Sequence, residues 1–159
     1  MQETLFRGNP VNKADYTLYE GLYKPDVFNE GFVYGSLIVK CKKHYICIGV
    51  AGAKLNCLIN NATVTLVEVI PETVGQFTGI TDDNGKKIFE GDILGITNCD
   101  PDYNYITKVY FDSNTLCVDV EGQDYDYTSI GFAIEIWDNE CDQIEIIGNI
   151  YDNPELLEA

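Results

Sequence analysis

Residues 69–93 read V-I-P-E-T-V-G-Q-F-T-G-I-T-D-D-N-G-K-K-I-F-E-G-D-I, two short extended stretches around a polar turn. Asn84-Gly85 is the strongest short hairpin signal in the chain, because a type I′ turn needs positive φ at both central residues. Residues 74–80 and 86–89 are then its arms, and Glu90-Gly91-Asp92 turns the chain into a further strand.

Outward from this hairpin the pattern stays extended. Residues 32–39 read as a strand ended by a basic turn near Lys42-Lys43. Residues 45–50 and 62–69 follow, rich in β-branched residues. Residues 106–111 and 116–120 flank Asp112-Ser113-Asn114 as another hairpin, with Leu116, Val118 and Val120 expected inside and Asp119 and Glu121 in water. Residues 132–137 and 143–150 complete the strands, the last alternating Ile144 and Ile146 around Glu145. A late helix is expected where Asn153 caps, Pro154 fills the first turn, Glu155 suits the dipole and Leu156 and Leu157 pack back. The expected fold is mainly β: a small partly open barrel or strongly bent antiparallel sheet with a short C-terminal helix. The expected organisation is a single domain over residues 1–159, with 9–30 as a surface insertion.

At 159 residues, 45% of them hydrophobic, the chain can bury a core without covalent staples. No apolar run approaches the roughly 18 residues of a membrane span, and the first residues lack a signal-peptide pattern. A cytoplasmic protein is expected. The six cysteines (41, 47, 57, 99, 117 and 141) are accordingly expected as free thiols.

Charge is distributed unevenly. Residues 1–80 hold seven acids and seven Lys/Arg, whereas residues 81–159 hold nineteen acids and three lysines, so the net charge of −16 lies entirely in the second half. Such a surface repels phosphates, and direct nucleic-acid binding is not expected. It favours solubility and is compatible with a basic partner.

Motifs of known chemistry fail on spacing. Setting Gly85 at the sixth position of a calcium loop puts Ile80 at the first ligand and Gly91 at the twelfth, and neither carries a carboxylate. From Gly79, the spacing G-x5-G-K-K is one residue too long for a phosphate loop, with Lys87 where a hydroxyl belongs. Cys41, His44, Cys47 and Cys57 form the one cluster with zinc-ligand chemistry, but C-x2-H-x2-C is not a standard zinc spacing, and thiols in turns and strands are expected instead. His44, the lone histidine, sits beside two lysines and is expected at an exposed turn. Asp100/Asp102 and Asp124/Asp126 are paired carboxylates of the kind that acid–base or metal-assisted hydrolysis uses, in a chain where such pairs occur by composition alone. Tyr103, Tyr105, Tyr125 and Tyr127 interleave with these acids as edge-strand residues or a contact surface. No metal, cofactor or defined catalytic residue is expected.

Several blocks of the chain resemble the phage YopX family. The carriers are Phe6-Arg7-Gly8, Gly31-Phe32-Val33-Tyr34-Gly35, the run from Ile70 to Gly79, the run from Asp83 to Ile93, and E-I-I-G-N-I-Y-D-N-P-E-L-L at residues 145–157. The chain departs from the family pattern in a longer insert before Gly31 and in the acidic, Tyr-rich stretch 100–127. The resemblance implies a small β-rich protein of bacteriophages and prophages acting in the host cytoplasm, and it supplies no catalytic residues to carry over. The function expected is a non-enzymatic accessory role by protein–protein contact, with a homo-oligomer as one form. The alternatives are an acidic DNA-mimicking inhibitor of a host nucleic-acid-binding protein, and a small carboxylate and divalent-metal hydrolase.

Overall fold

The structure, a computed structural model, describes residues 4–14, 27–48, 65–112, 114–119, 128–131, 133–135 and 142–158. It is mainly β, built on strongly curled antiparallel sheet with a short C-terminal helix. The chain divides into two compact units, Met1–Gln76 and Phe77–Ala159.

The first unit contains β1 (Phe6–Gly8), β2 (Phe28–Asn29), β3 (Phe32–Lys40), β4 (Lys43–Ile48), β5 (Thr65–Val69) and the start of β6 (Gly75–Thr81). Period-two alternation decides which side chains are buried. Ile46 and Ile48 on β4 point inward beside Val67 and Val69 on β5, and Phe28 and Val33 complete the core. The intervening Tyr45, Cys47, Leu66 and Glu68 lie on the opposite face.

Two hairpins of this unit use two-residue loops with both residues at positive φ. Glu30 and Gly31 (φ 51 and 81) join β2 to β3, and Cys41 and Lys42 (φ 52 and 65) join β3 to β4. This is type I′ geometry, whose twist matches that of the flanking strands.

Curling brings the two sides of this sheet together at Gly8. β1 pairs with β3 and β6, and the chain then crosses to the far edge of β5. There Pro10 bridges Val69, the Val11 amide donates to the Glu68 carbonyl at 2.9 Å, and the Ile70 amide donates to the Asn9 carbonyl at 2.8 Å. A Cβ on Gly8 would lie 2.9 Å from the Cβ of Val69, so only glycine allows this crossing. Of residues 9–30, therefore, 9–11 run along β5 and 28–29 form β2, whereas 15–26 lie outside the described residues.

The second unit contains the remainder of β6, β7 (Lys87–Phe89), β8 (Asp92–Thr97), β9 (Tyr105–Lys108), β10 (Tyr110–Asp112), β11 (Thr115–Val118), β12 (Thr128–Ser129) and β13 (Gln143–Asn149). β6 pairs with β7, β8 lies between β13 and β9, and β11 lies between β10 and β12. Their shared core is Ile88, Leu94, Ile96, Val109, Val118, Ile130, Ala133 and Ile144.

Five local expectations are corrected. The Asn84-Gly85 loop is not type I′: only Gly85 takes positive φ (78), and the Gly85 amide donates to the Asp82 carbonyl at 2.9 Å. That is a three-residue loop, a type I turn followed by a left-handed glycine. Its cause is Asp82, whose Oδ1 accepts from the Asn84 and Lys86 amides at 3.0 and 2.8 Å. The strand expected over 132–137 is helical at Ala133, Ile134 and Glu135, as at Ile130 and Gly131 before it. The helical spacing of Ile130, Ala133 and Ile134 points all three at the core. The strand expected over 106–111 breaks at Val109, whose amide and carbonyl turn to Asp92 and Gly91. On β11, Cys117 is buried beside Val118 and Leu116 is half-buried, in place of strict alternation; Val120 and Glu121 lie outside the described residues. The C-terminal helix is a 3₁₀ turn, Pro154–Leu157. Asn153 occupies its cap position without a side-chain cap bond, Leu156 is half-buried and Leu157 is 38% exposed.

Candidate functional site

The polar residues of the central motif converge on the backbone of β13. Asp82 is buried, and besides holding its own turn through Oδ1 it accepts from the Ile146 amide through Oδ2 at 3.1 Å. Asp83 Oδ2 accepts from the Ile144 amide at 2.6 Å, and the Asp83 amide donates to the Ile144 carbonyl at 3.1 Å. β13 pairs with β8 along one edge, and these two acids take its other edge as a neighbouring strand would. An ionised carboxylate accepts such bonds roughly twice as strongly as a neutral group.

The next turn is tied in the same way. Asp92 is buried, and its Oδ2 accepts from the Phe89 amide at 2.8 Å, closing the bend through Gly91 (φ 88). The Gly91 carbonyl accepts from the Ile150 amide at 2.9 Å, and the Tyr151 ring lies where a Cβ on Gly91 would come within 3.0 Å of it. Asn149 Oδ1 accepts from the Tyr151 and Asp152 amides at 3.0 Å each, and its Nδ2 donates to Asp152 at 2.9 Å. The E-G-D turn and the G-N-I-Y-D-N-P segment thus form one packed corner, and their polar side chains satisfy backbone.

The zinc-type cluster does not assemble among the described residues. Cys41 is exposed at a hairpin tip, while His44 and Cys47, three apart on β4, face opposite sides of the sheet. His44 is half-buried opposite Val69, with Nδ1 enclosed and without a hydrogen-bond partner, in place of the exposed turn position expected. Cys57 lies outside the described residues, and among those described no three His, Cys, Asp or Glu gather as a metal site. Cys41, Cys47, Cys99 and Cys117 are free thiols. Burial, reinforced by Asp112 and Asp119, pushes the Cys117 thiol pKa up.

Asp100 and Asp102 build an exposed turn in which Asp100 Oδ1 accepts from the Asp102 amide at 3.2 Å. Tyr103 is exposed beside them, and Tyr105 packs against the core. Asp124, Tyr125, Asp126 and Tyr127 lie outside the described residues. A further polar knot links Asn98 Nδ2 to Asp142 Oδ1, with the Asn98 amide donating to Asn104 Oδ1 at 2.8 Å. Tyr110 donates its hydroxyl to Asp119 at 2.9 Å, and burial followed by that bond raises its pKa. Lys43 is raised by its hydrogen bond and charge pairing with Glu68.

Arg7 stands in one of the family blocks of the sequence, where no role is assigned to it. It is 4% exposed, and its guanidinium lies 4.3 Å from the centroid of the Phe32 ring. A buried arginine stacked on an aromatic is a cation–π contact. Its one sequence signal is a charge between Phe6 and Gly8 in a short strand.

Fold and motif together define a mainly β protein whose recognisable polar residues hold its turns and strand edges. A family model described as YopX protein matches residues 33–158, and the chain belongs to the YopX family. The Phe6-Arg7-Gly8 block lies outside that match. The SPbeta prophage-derived uncharacterized protein YopX of Bacillus subtilis (strain 168) is 38% identical over 77 residues, 47% of this chain and 53% of that protein. The match thus spans about half the length of that relative. The crystal structure of protein yopX from Bacillus subtilis aligns with a TM-score of 0.53 at 21% identity, over 98% of both chains, a likeness of fold. A crystal structure of an Enterococcus faecalis protein aligns with a TM-score of 0.45 at 20% identity, over 99% of both chains.

Proposed function

We propose that this chain is a phage or prophage accessory protein that works by protein–protein contact in the cytoplasm of a bacterial host, without catalysis. The observation that carries this reading is the use made of the motif side chains. Asp82, Asp83, Asp92 and Asn149 each accept hydrogen bonds from backbone amides. Groups so engaged stabilise charge where it already lies, and do not present a proton or nucleophile to a substrate. The prophage origin of the Bacillus subtilis relative supports the setting.

The surface offers material for contact. Ile38 and Leu66 are 39% and 45% exposed on the outer face of β3 and β5, and Cys47 and Tyr45 lie between them on β4. Apolar and aromatic side chains flanked by charge are the usual centre of a protein interface. The acidic half disfavours nucleic acid as the direct partner.

The test is retention of host or phage proteins from lysate at moderate salt on immobilised chain, beside the Leu66→Asp and Ile38→Asp variants. A defined protein held by the native chain and lost with either variant, each still folded by circular dichroism, is the expected result. Turnover of a nucleotide or metabolite by the purified chain, abolished by substitution of a described carboxylate, would overturn the reading.

A further inference from the structure

Two exposed features carry matching chemistry. Among the described residues, the two most exposed large apolar side chains are Tyr103 at 67% and Val39 at 57%. Each sits beside charge, and the charges are opposite. Val39 leads into the type I′ tip, where Lys40 and Lys42 are exposed and Lys43 is held by Glu68 at 3.1 Å. Three of the ten Lys/Arg in the chain thus fall within four positions. Tyr103 ends the turn that exposes Asp100 and Asp102, in the half that holds nineteen acids and three lysines.

Both features are held in shape. The tip is closed by the Lys40 and Lys43 pairing of β3 with β4. The acidic turn is closed by the Tyr103 amide donating to the Asp100 carbonyl at 3.0 Å and the Asp100 amide donating to Asn98 Oδ1 at 2.9 Å. Surfaces already ordered lose little entropy on docking.

We infer that the hairpin tip, residues 39–42, docks on the acidic turn, residues 100–103, of a second copy of this chain. Lys40 and Lys42 meet Asp100 and Asp102, and Val39 packs on the Tyr103 ring, whose face also attracts a lysine ammonium. This rests on the reading of a contact protein and names the partner. Two copies with a net charge of −16 repel at long range, so a contact between them must place cations against acids. The tip is the densest group of exposed cations described. Every copy carries both surfaces, so the contact either closes into a symmetric assembly or propagates.

The test is sedimentation velocity of the full chain over a concentration series at about 0.02 M and about 0.5 M salt, where screening shortens the reach of charge severalfold. The expected result is association at low salt, weakened roughly tenfold or more at high salt. The Lys40→Glu/Lys42→Glu variant and the Asp100→Lys/Asp102→Lys variant, both folded by circular dichroism, are each expected as monomers. Mixed in equal amounts they should associate again, because the reversed, acidic tip of the first variant faces the reversed, basic turn of the second, and the native tip of the second faces the native turn of the first. A native chain that stays monomeric at low salt, variants that associate as the native chain does, or a mixture without recovery would each overturn the inference. None of those outcomes touches capture of a host or phage protein through Ile38 and Leu66, so the broader reading stands or falls separately.

Discussion

The Asp82 carboxylate accepts from the Ile146 amide at 3.1 Å across 64 residues of chain, and so joins a hairpin turn to the edge of β13. The same carboxylate holds the Asn84 and Lys86 amides, so one buried side chain both shapes its turn and ties it to distant sheet. Asp82→Ala leaves three amides without this acceptor and is expected to cost about 2–4 kcal/mol. Asp82→Asn keeps one carbonyl oxygen but turns an amide donor toward either the turn or Ile146, and should cost about 1–3 kcal/mol. Urea unfolding followed by circular dichroism measures both, and losses below about 0.5 kcal/mol would contradict the bridging role.

Gly91 and Tyr151 form a coupled pair. Gly91→Ala meets both a φ of 88 and the Tyr151 ring at 3.0 Å, and the expected loss is about 2–3 kcal/mol. Adding Tyr151→Ala relieves the ring contact and leaves the backbone strain. The double variant should therefore lose less than the sum of the single losses, by about 0.5–2 kcal/mol in a double-mutant cycle. Additive losses would mean that the ring and the glycine are energetically independent.

Cys41 and Lys42 occupy backbone conformations that asparagine and glycine adopt with less strain. The Cys41→Asn/Lys42→Gly variant is expected to gain roughly 1 kcal/mol, seen as a higher urea midpoint with unchanged slope.

Thiol chemistry should separate the described cysteines. Cys41 and Cys99 are exposed, whereas Cys117 is buried with its pKa pushed above its ordinary value of 9.0. Iodoacetamide at mildly alkaline pH should modify Cys41 and Cys99 first and reach Cys117 after denaturant is added, as peptide mapping would show. A raised folded pKa means that the native state keeps its proton longer than the unfolded chain does. The stabilisation from the neutral Cys117 thiol is full below its ordinary pKa of 9.0 and is lost as pH rises through the raised one. The Tyr110 phenol, raised by burial and by Asp119, acts in the same direction from its ordinary 10.0 upward. Stability should accordingly decline on the alkaline side, and a flat profile there would contradict both shifts.

Much of the strand framework was legible in residue order, because β-branched residues alternating with polar ones specify a half-buried strand. β4 shows that alternation at Ile46 and Ile48, and the bounds of β3, β4, β6 and β7 lie within two residues of those expected. The turn type at Asn84 was not legible from the dipeptide, since the Asp82 side chain supplies bonds that select a different loop. Residues 132–137 misled because Phe132, Ala133, Ile134, Ile136 and Trp137 are apolar at both periods, and only packing of Ile130 and Ala133 into the core separates them. That His44 and Cys47 face opposite sides of the sheet follows from their odd spacing on one strand, once residues 43–48 are placed as β4. Arg7 was illegible, since its burial depends on how Phe32 is brought over it. Asp82 and Asp83 were legible as turn residues, but not their bonds to β13, because those depend on a strand about 60 residues further on bringing its amides to them.

The crossing at Gly8 makes the amino-terminal segment a belt. With six residues it covers hydrogen-bonding rows on β3, β6 and β5 at once. A fragment starting after Val11 would uncover all three rows together, and bare strand rows recruit other chains. Proteolytic removal of the chain through Val11 would therefore turn a molecule with these rows covered into an adhesive one.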